Sequence, residues 1–258
     1  MKRQKKVILI LSIVVVIETI FIVYLWLSRP KKIPPVPVAI KGKIAIVIDD
    51  WGYNLNNLAV LDQIKYPLTV SVLPNLTYSK VVAKELYGRG RQIILHLPLE
   101  PYEKFRLEQN TIMTSMDDSN IINTLRHDLA SIANPSGVSN HMGSKATENS
   151  RVMRIIFKEL KIRNLYFLDS LVSAESTCFD LAYKMRLGFA KRDVFLDNIE
   201  EPAYIRGQIY KLKTRARVYG QAIGIGHDRK TTLGVLKEVM PELEKEGYEF
   251  VFVSELVR

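Results

Sequence analysis

From residue 44 onward, short runs rich in Val and Ile alternate with longer stretches of helical period, and this alternation restricts the fold more than any other feature. The runs fall near 44–49, 68–73, 92–97, 137–142, 165–169, 189–196, 221–227 and 249–253. Helical patterns fall near 54–64, 78–89, 119–133, 148–163, 174–187, 199–218 and 231–246. Strands that alternate with crossover helices pair in parallel. Seven or eight such units within 43–258 fit an α/β fold, a distorted or incomplete (β/α) barrel, better than two open sheets. Residues 100–118 read as a longer loop over the strand-end face.

Ahead of this domain, residues 7–27 (VILILSIVVVIETIFIVYLWL) form a nearly unbroken apolar run, long enough to cross a hydrocarbon core as one helix. Lys2, Arg3, Lys5 and Lys6 precede it, and no small-x-small cleavage pattern follows. An uncleaved signal anchor in the cell membrane is therefore expected, with 1–6 a basic cytoplasmic tail and the globular domain on the extracytoplasmic side. Glu18 costs roughly 2–3 kcal/mol within the span, which its Ile, Val, Leu and Phe neighbours offset. Residues 28–42 (SRPKKIPPVPVAIKG) are proline-rich and read as an extended linker. The net charge of +10 is concentrated at this end: residues 1–42 carry eight Lys/Arg and one acid, leaving +3 for 43–258. Nucleic-acid binding by the domain has little electrostatic support. A lone cysteine, Cys178, leaves no internal disulfide framework and reads as a small buried side chain.

In a parallel barrel the C-terminal strand ends share one face, so residues far apart in the chain meet there. The runs KIAIVIDD (43–50), RQIILH (91–96), GVSNHMG (137–143) and QAIGIGHD (221–228) bring Asp49, Asp50, His96, His141 and His227 to that face. Carboxylate and imidazole are ligands for zinc and other first-row metals, and the remaining groups supply an acid and a base. Adjacent Asp49 and Asp50 point to opposite sides of a regular strand, so both reach one site only if the backbone turns there. Asp49 has the alternative of capping a helix that starts near Asn54. Glu100 follows His96 in an H-x-x-x-E spacing that Pro98 and Pro101 keep out of a helix. Around His141, the side chains of Asn140, Ser144, Lys145 and Thr147 suit a polar substrate. Gly224 and Gly226 admit a backbone or ligand close to His227, and Asp228 orients that ring or caps the next helix. Asp169, Arg192 and Asp193 also end runs, either as a structural ion pair or as support for the base or a ligand histidine. Trp51, Tyr53 and Tyr102 are candidates for stacking on sugar faces, with local packing as the alternative. His127 reads as a solvent-facing helix residue.

The segments IDDWG (48–52), HLPLEP (96–101), NHMGSKAT (140–147), FLDSLVSAES (168–176), RDVFLDN (192–198) and IGIGHDRKTTLGVL (223–236) together resemble the divergent polysaccharide deacetylase family. That family belongs to the metal-dependent carbohydrate deacetylases, which use a distorted (β/α) barrel, and the resemblance covers 43–258. It implies Asp49 as base and Asp50 as metal ligand. The superfamily's histidine pair after the third strand is matched by His96 alone, with Glu100 in the second position. The implied metal set is Asp50, His96 and His141, with Glu100 as the alternative ligand. His227 is the implied acid for the leaving group, Arg192 and Asp193 the implied supports of the base, and Trp51, Asn140, Ser144 and Asp169 the substrate contacts. The implied cofactor is a divalent metal, Zn²⁺ foremost, and the implied partner an envelope polysaccharide or peptidoglycan from which acetyl groups are removed. The replaced histidine leaves open a non-catalytic envelope protein that binds glycan or a protein partner.

Overall fold

The computed structural model describes residues 2–28 and 39–258, which form two separate units. Most of the linker expected over 28–42 lies outside the described residues. In the first unit, α1 (Lys2–Leu27) is a single helix long and apolar enough to cross a membrane. Its serine and threonine hydroxyls bond back to the helix: Ser12 donates to the Ile8 carbonyl and Thr19 to that of Val15.

The second unit is built on nine parallel strands: β1 (Gly42–Trp51), β2 (Thr69–Val72), β3 (Gln92–Leu99), β4 (Gly137–Met142), β5 (Tyr166–Asp169), β6 (Phe189–Lys191), β7 (Val194–Phe195), β8 (Gln221–His227) and β9 (Tyr248–Val251). Their order is β6-β5-β4-β3-β2-β1-β8-β7, with β9 beside the first half of β1. Every pairing is parallel, as the alternation of strand and helix requires. The connecting helices are α2 (Leu58–Leu61), α3 (Ser79–Gly88), α4 (Asp118–Ser131), α5 (Ser144–Glu148), α6 (Ser150–Ile162), α7 (Cys178–Met185), α8 (Pro202–Tyr219) and α9 (Lys230–Lys245).

Strand alternation divides the core in two. Ile44, Ile46 and Ile48 of β1 pack outward with the helices, whereas Ala45 and Val47 pack with Ile94, Leu168, Ile223 and Ile225 in the lumen. The same parity carries Asp49, His96, Ser139, His141 and His227 onto the lumen side. On the helical layer, α6 supplies Val152, Ile156, Phe157 and Leu160 at three- and four-residue spacing. Its first turn is capped by Asn149, whose side chain accepts from the Arg151 and Val152 N–H groups.

Three sequence expectations change. The run 189–196 is two strands, because the sheet curls until its edges meet. Arg192 N donates to the Asp169 carbonyl on one edge, and Asp193 N to that of Ile223 on the other, both at 2.9 Å. The helix expected over 54–64 shrinks to Leu58–Leu61, since Asn54 Oδ1 takes the Asn56 N–H in a local turn. The pattern over 148–163 breaks at Asn149, which is extended, leaving α5 and α6. Cys178 is buried and His127 is exposed.

Candidate metal centre

Asp49 and Asp50 lie near the end of β1 at an irregularity: the β1–β2 register shifts between Ile48 and Trp51, and Asp50 has φ 66°. Aspartate is among the few residues that tolerate this left-handed conformation. The turn lets two neighbouring carboxylates face the same lumen, which a regular strand forbids. His96 on β3 and His141 on β4 converge on them. Asp50 Oδ1 lies 3.3 Å from His96 Nε2 and 3.1 Å from His141 Nδ1, and one ligand atom from each of the three residues falls within 4.8 Å of the others. Asp50 Oδ1 is nevertheless a buried atom without a hydrogen-bond partner. Both ring nitrogens stand beside this oxygen without an aligned hydrogen bond to it. One carboxylate and two imidazoles arranged in this way fit a divalent cation.

Asp49 stands at the edge of this group, its Oδ2 3.6 Å from His96 Nε2 and its Oδ1 buried and unpartnered. Burial raises its carboxyl above the usual range, against the opposing pull of His96. Asp50 differs: burial works upward, but the adjacent His141 and His96 rings outweigh it and hold the carboxyl well below that range. Two neighbouring acids are thus pushed apart, one toward holding a proton and the other toward permanent charge.

His227 closes the site from β8, in register with Asp49, with Nε2 4.0 Å from Asp50 Oδ2. Its Nδ1 is 2.7 Å from Asp197 Oδ1, and Asp197 Oδ2 accepts from the His227 backbone N–H and from Thr232 Oγ1. Burial disfavours the charged ring, but Asp197, then Asp50 and Asp49, overcome this and raise its pKa. Phe195 stacks on the same ring at 5.7 Å. Asp197 is fully buried and is the site residue that sequence reasoning did not single out, although it lies in the quoted RDVFLDN segment. The available signal was its place two residues past β7, at the strand-end face.

Several expected residues lie elsewhere. Glu100 is not brought to the cluster: its Oε2 accepts from Thr114 N and Oγ1, and its Oε1 from Lys145 Nζ at 2.7 Å. Because β3 runs on through Leu99, four residues of strand separate it from His96 by roughly 13 Å, too far to share an ion. Asp193 accepts from the Ile223 N–H, four residues before His227 on β8, and so ties the seam. Arg192 clamps the loop after β5, donating to the carbonyls of Ser170 and Leu171, and lies over Phe195.

The expected substrate contacts are similarly engaged. Trp51 is fully buried in the outer core. Asn140 accepts from Ser170 N and donates to the Met142 carbonyl. Asp169 accepts from Leu171 N and Ser176 Oγ. Ser144 accepts from Tyr102 N and donates to Glu103. Asp228 holds Asn57 and not the His227 ring. Gly226 makes room for Thr232 and Asp197, and Gly224 for Leu212, so neither opens toward a ligand. Tyr53 and Tyr102 keep exposed rings, with hydroxyls bonded to Glu108 and Glu148.

The model of the divergent polysaccharide deacetylase family matches residues 46–257. The chain is 34% identical over 202 residues to an uncharacterized protein, YibQ, of Escherichia coli, covering 78% of this chain and 63% of that protein. The crystal structure of an uncharacterized protein from Agrobacterium tumefaciens is similar with a TM-score of 0.81 at 24% identity, over 86% of this chain and 92% of the other. The catalytic domain of a peptidoglycan N-acetylglucosamine deacetylase from Eubacterium rectale shares the fold more distantly, with a TM-score of 0.50 at 13% identity over 87% and 92%.

Proposed function

Because this chain belongs to the divergent polysaccharide deacetylase family, we propose that it is a metal-dependent hydrolase that removes acetyl groups from an envelope carbohydrate, peptidoglycan included. The observation that carries this reading is the orphaned Asp50 Oδ1 between His96 Nε2 and His141 Nδ1, the mark of a cation site in place of a hydrogen-bonded cluster. Asp50, His96 and His141 would hold the ion, Zn²⁺ by its ligand preference, which supplies Lewis acidity toward an acetyl carbonyl and a water. Asp49 takes the proton from that water, a role its raised pKa favours. His227, held by Asp197, gives a proton to the departing amine or hydroxyl. Arg192 keeps the loop after β5 in place beside them. The helix Lys2–Leu27 anchors the protein in the cell membrane, and its leading Lys and Arg residues put the domain on the extracytoplasmic side.

A second reading, a non-catalytic envelope protein that binds glycan or a protein partner on the same barrel, rests on Glu100, which stands where the superfamily has its second histidine and is bound to Thr114 and Lys145. Acetate release from acetylated glycans by the purified chain, with and without a chelator, separates the two. Release that the chelator abolishes supports the hydrolase; no release with Zn²⁺ supplied leaves the binding reading.

A further inference from the structure

The strands of the barrel begin at the end opposite the metal site, and there lie the C-terminal ends of α6, α7 and α8. Large apolar and aromatic side chains project from them almost free of cover: Ile162 is 75% exposed, Tyr183 80%, Val218 66% and Tyr219 67%. Lys158, Lys161, Ile162, Lys184 and Met185 line one groove between α6 and α7, and across the turn 186–188 Phe189 and Tyr219 share a second, so the patch is continuous. The charge around it is mostly of one sign. Helix α8 carries Arg206, Lys211, Lys213, Arg215 and Arg217 and no acid. Of the acids on neighbouring elements, Glu159 is held by Arg126 and Arg163, Asp193 faces Arg215, Glu246 binds Lys213, and Asp180 is exposed in the first turn of α7. Lys158, Lys161, Lys184, Arg186 and Arg217 are exposed and, among the described residues, have no acidic partner. Cations at helix C-termini balance the helix dipole, but that duty calls for no exposed Ile and Tyr beside them.

The chain enters the domain at the same end. Lys41 N donates to the Gly247 carbonyl, and Lys43 N to that of Gly220, which caps α8. Gly42 is pressed so closely on the last turn of α8 that an added Cβ would lie 2.4 Å from the Ala216 carbonyl oxygen. A tether therefore reaches the domain beside Val218 and Tyr219. We propose that this face docks on an anionic phospholipid surface, its aromatic and apolar side chains at the headgroup level and its unpaired cations on lipid phosphates. The inference rests on the membrane anchoring proposed above. Asp50 lies eight residues along β1 from Gly42, roughly 26 Å, so a docked domain turns the metal site away from the lipid and toward the glycan.

Nitroxide labels on the full chain in lipid vesicles test this, one at Tyr183→Cys on the patch and one at Lys104→Cys in the loop after β3; Cys178 is buried and stays unlabelled. On vesicles of phosphatidylglycerol and phosphatidylcholine, the label at 183 should become accessible to oxygen and shielded from a nickel chelate, while that at 104 stays in water. Pure phosphatidylcholine should return the label at 183 to water, and so should about 1 M potassium chloride, where the screening length falls to about 3 Å. A basic residue near an anionic surface is worth roughly fivefold in partition, so Lys158→Glu combined with Lys184→Glu and Arg217→Glu should lower the ratio of docked to free domain by about 100-fold or more. A label at 183 that stays in water on the anionic vesicles, or that is immersed equally on neutral ones, overturns the proposal. A chain that fails to float with vesicles in the high salt instead removes the membrane anchor itself.

Discussion

One oxygen of Asp197 lies 2.7 Å from His227 Nδ1, and the other accepts from the His227 backbone N–H at 2.8 Å, so a single buried carboxylate fixes both the ring and the strand that carries it. Burial alone would raise the Asp197 pKa, yet its bonds with His227 lower it, and the histidine rises in return. The pair keeps a proton available on His227 at a pH where a free imidazole has lost it.

Asp197→Asn retains the shape and removes the charge. Because the histidine pKa is raised in the folded protein, its protonated form persists to higher pH, and the variant gives up that extension. The alkaline limb of kcat/KM for acetyl release should move to lower pH, with the plateau falling on the order of 100-fold. An unmoved limb would remove His227 as the acid.

Metal binding should separate the neighbouring carboxylates. Asp50→Ala, His96→Ala and His141→Ala are each expected to weaken Zn²⁺ binding in calorimetry by at least about 100-fold. Asp49→Asn should bind Zn²⁺ almost as before and release no acetate. Glu100→Gln should also keep the metal, losing instead about 1–3 kcal/mol of stability through its weakened bonds to Thr114 and Lys145.

Asp128 on α4 is fully buried, with Oδ1 held by Asn75 and Oδ2 without a partner. Burial raises its pKa to about 7, against the hydrogen bonds from Asn75 and Asn110. The folded state therefore binds this proton more tightly than the unfolded chain. The stability it contributes is complete below the unfolded value near 3.8 and is lost as pH rises through about 7. Asp128→Asn should match the original protein at pH about 4 and exceed it at pH about 8 by on the order of 2–4 kcal/mol in urea unfolding. Equal stability of the two proteins at the higher pH would contradict this.

Trp51 and Tyr53 should behave as opposites despite their proximity in sequence. Trp51→Ala empties a core position and is expected to cost about 3–5 kcal/mol in thermal or chemical unfolding. Tyr53→Ala removes an exposed ring and its bond to Glu108, costs at most about 1 kcal/mol, and should raise KM for a glycan substrate while sparing Zn²⁺ binding.

The barrel was legible because buried parallel strands write themselves as Val- and Ile-rich runs, and the parity of those runs carried Asp49, His96, His141 and His227 to one lumen. Parity alone misplaces Asp50, whose position depends on a backbone turn that no side-chain pattern records. The expected substrate contacts are engaged within the protein for one reason. Asn140, Ser144 and Asp169 sit at strand ends, where polar groups are as useful for holding loops as for holding ligands, and here they satisfy the N–H groups of Ser170, Tyr102 and Leu171. An unbroken strand over 189–196 gives no place to Asp197 beside His227. Once it divides at the seam, Asp193 falls beside the middle of β8 and Asp197 beside its end.

The left-handed turn at Asp50 also limits how this site can decay over evolutionary time. A lineage that abandons the metal is free to change His96 or His141 to many residues, whereas the left-handed backbone at position 50 keeps favouring Asp, Asn or Gly. Inactive descendants should therefore betray themselves first at the histidines, while an acid or its amide lingers at 50 as a relic of backbone shape and not of chemistry.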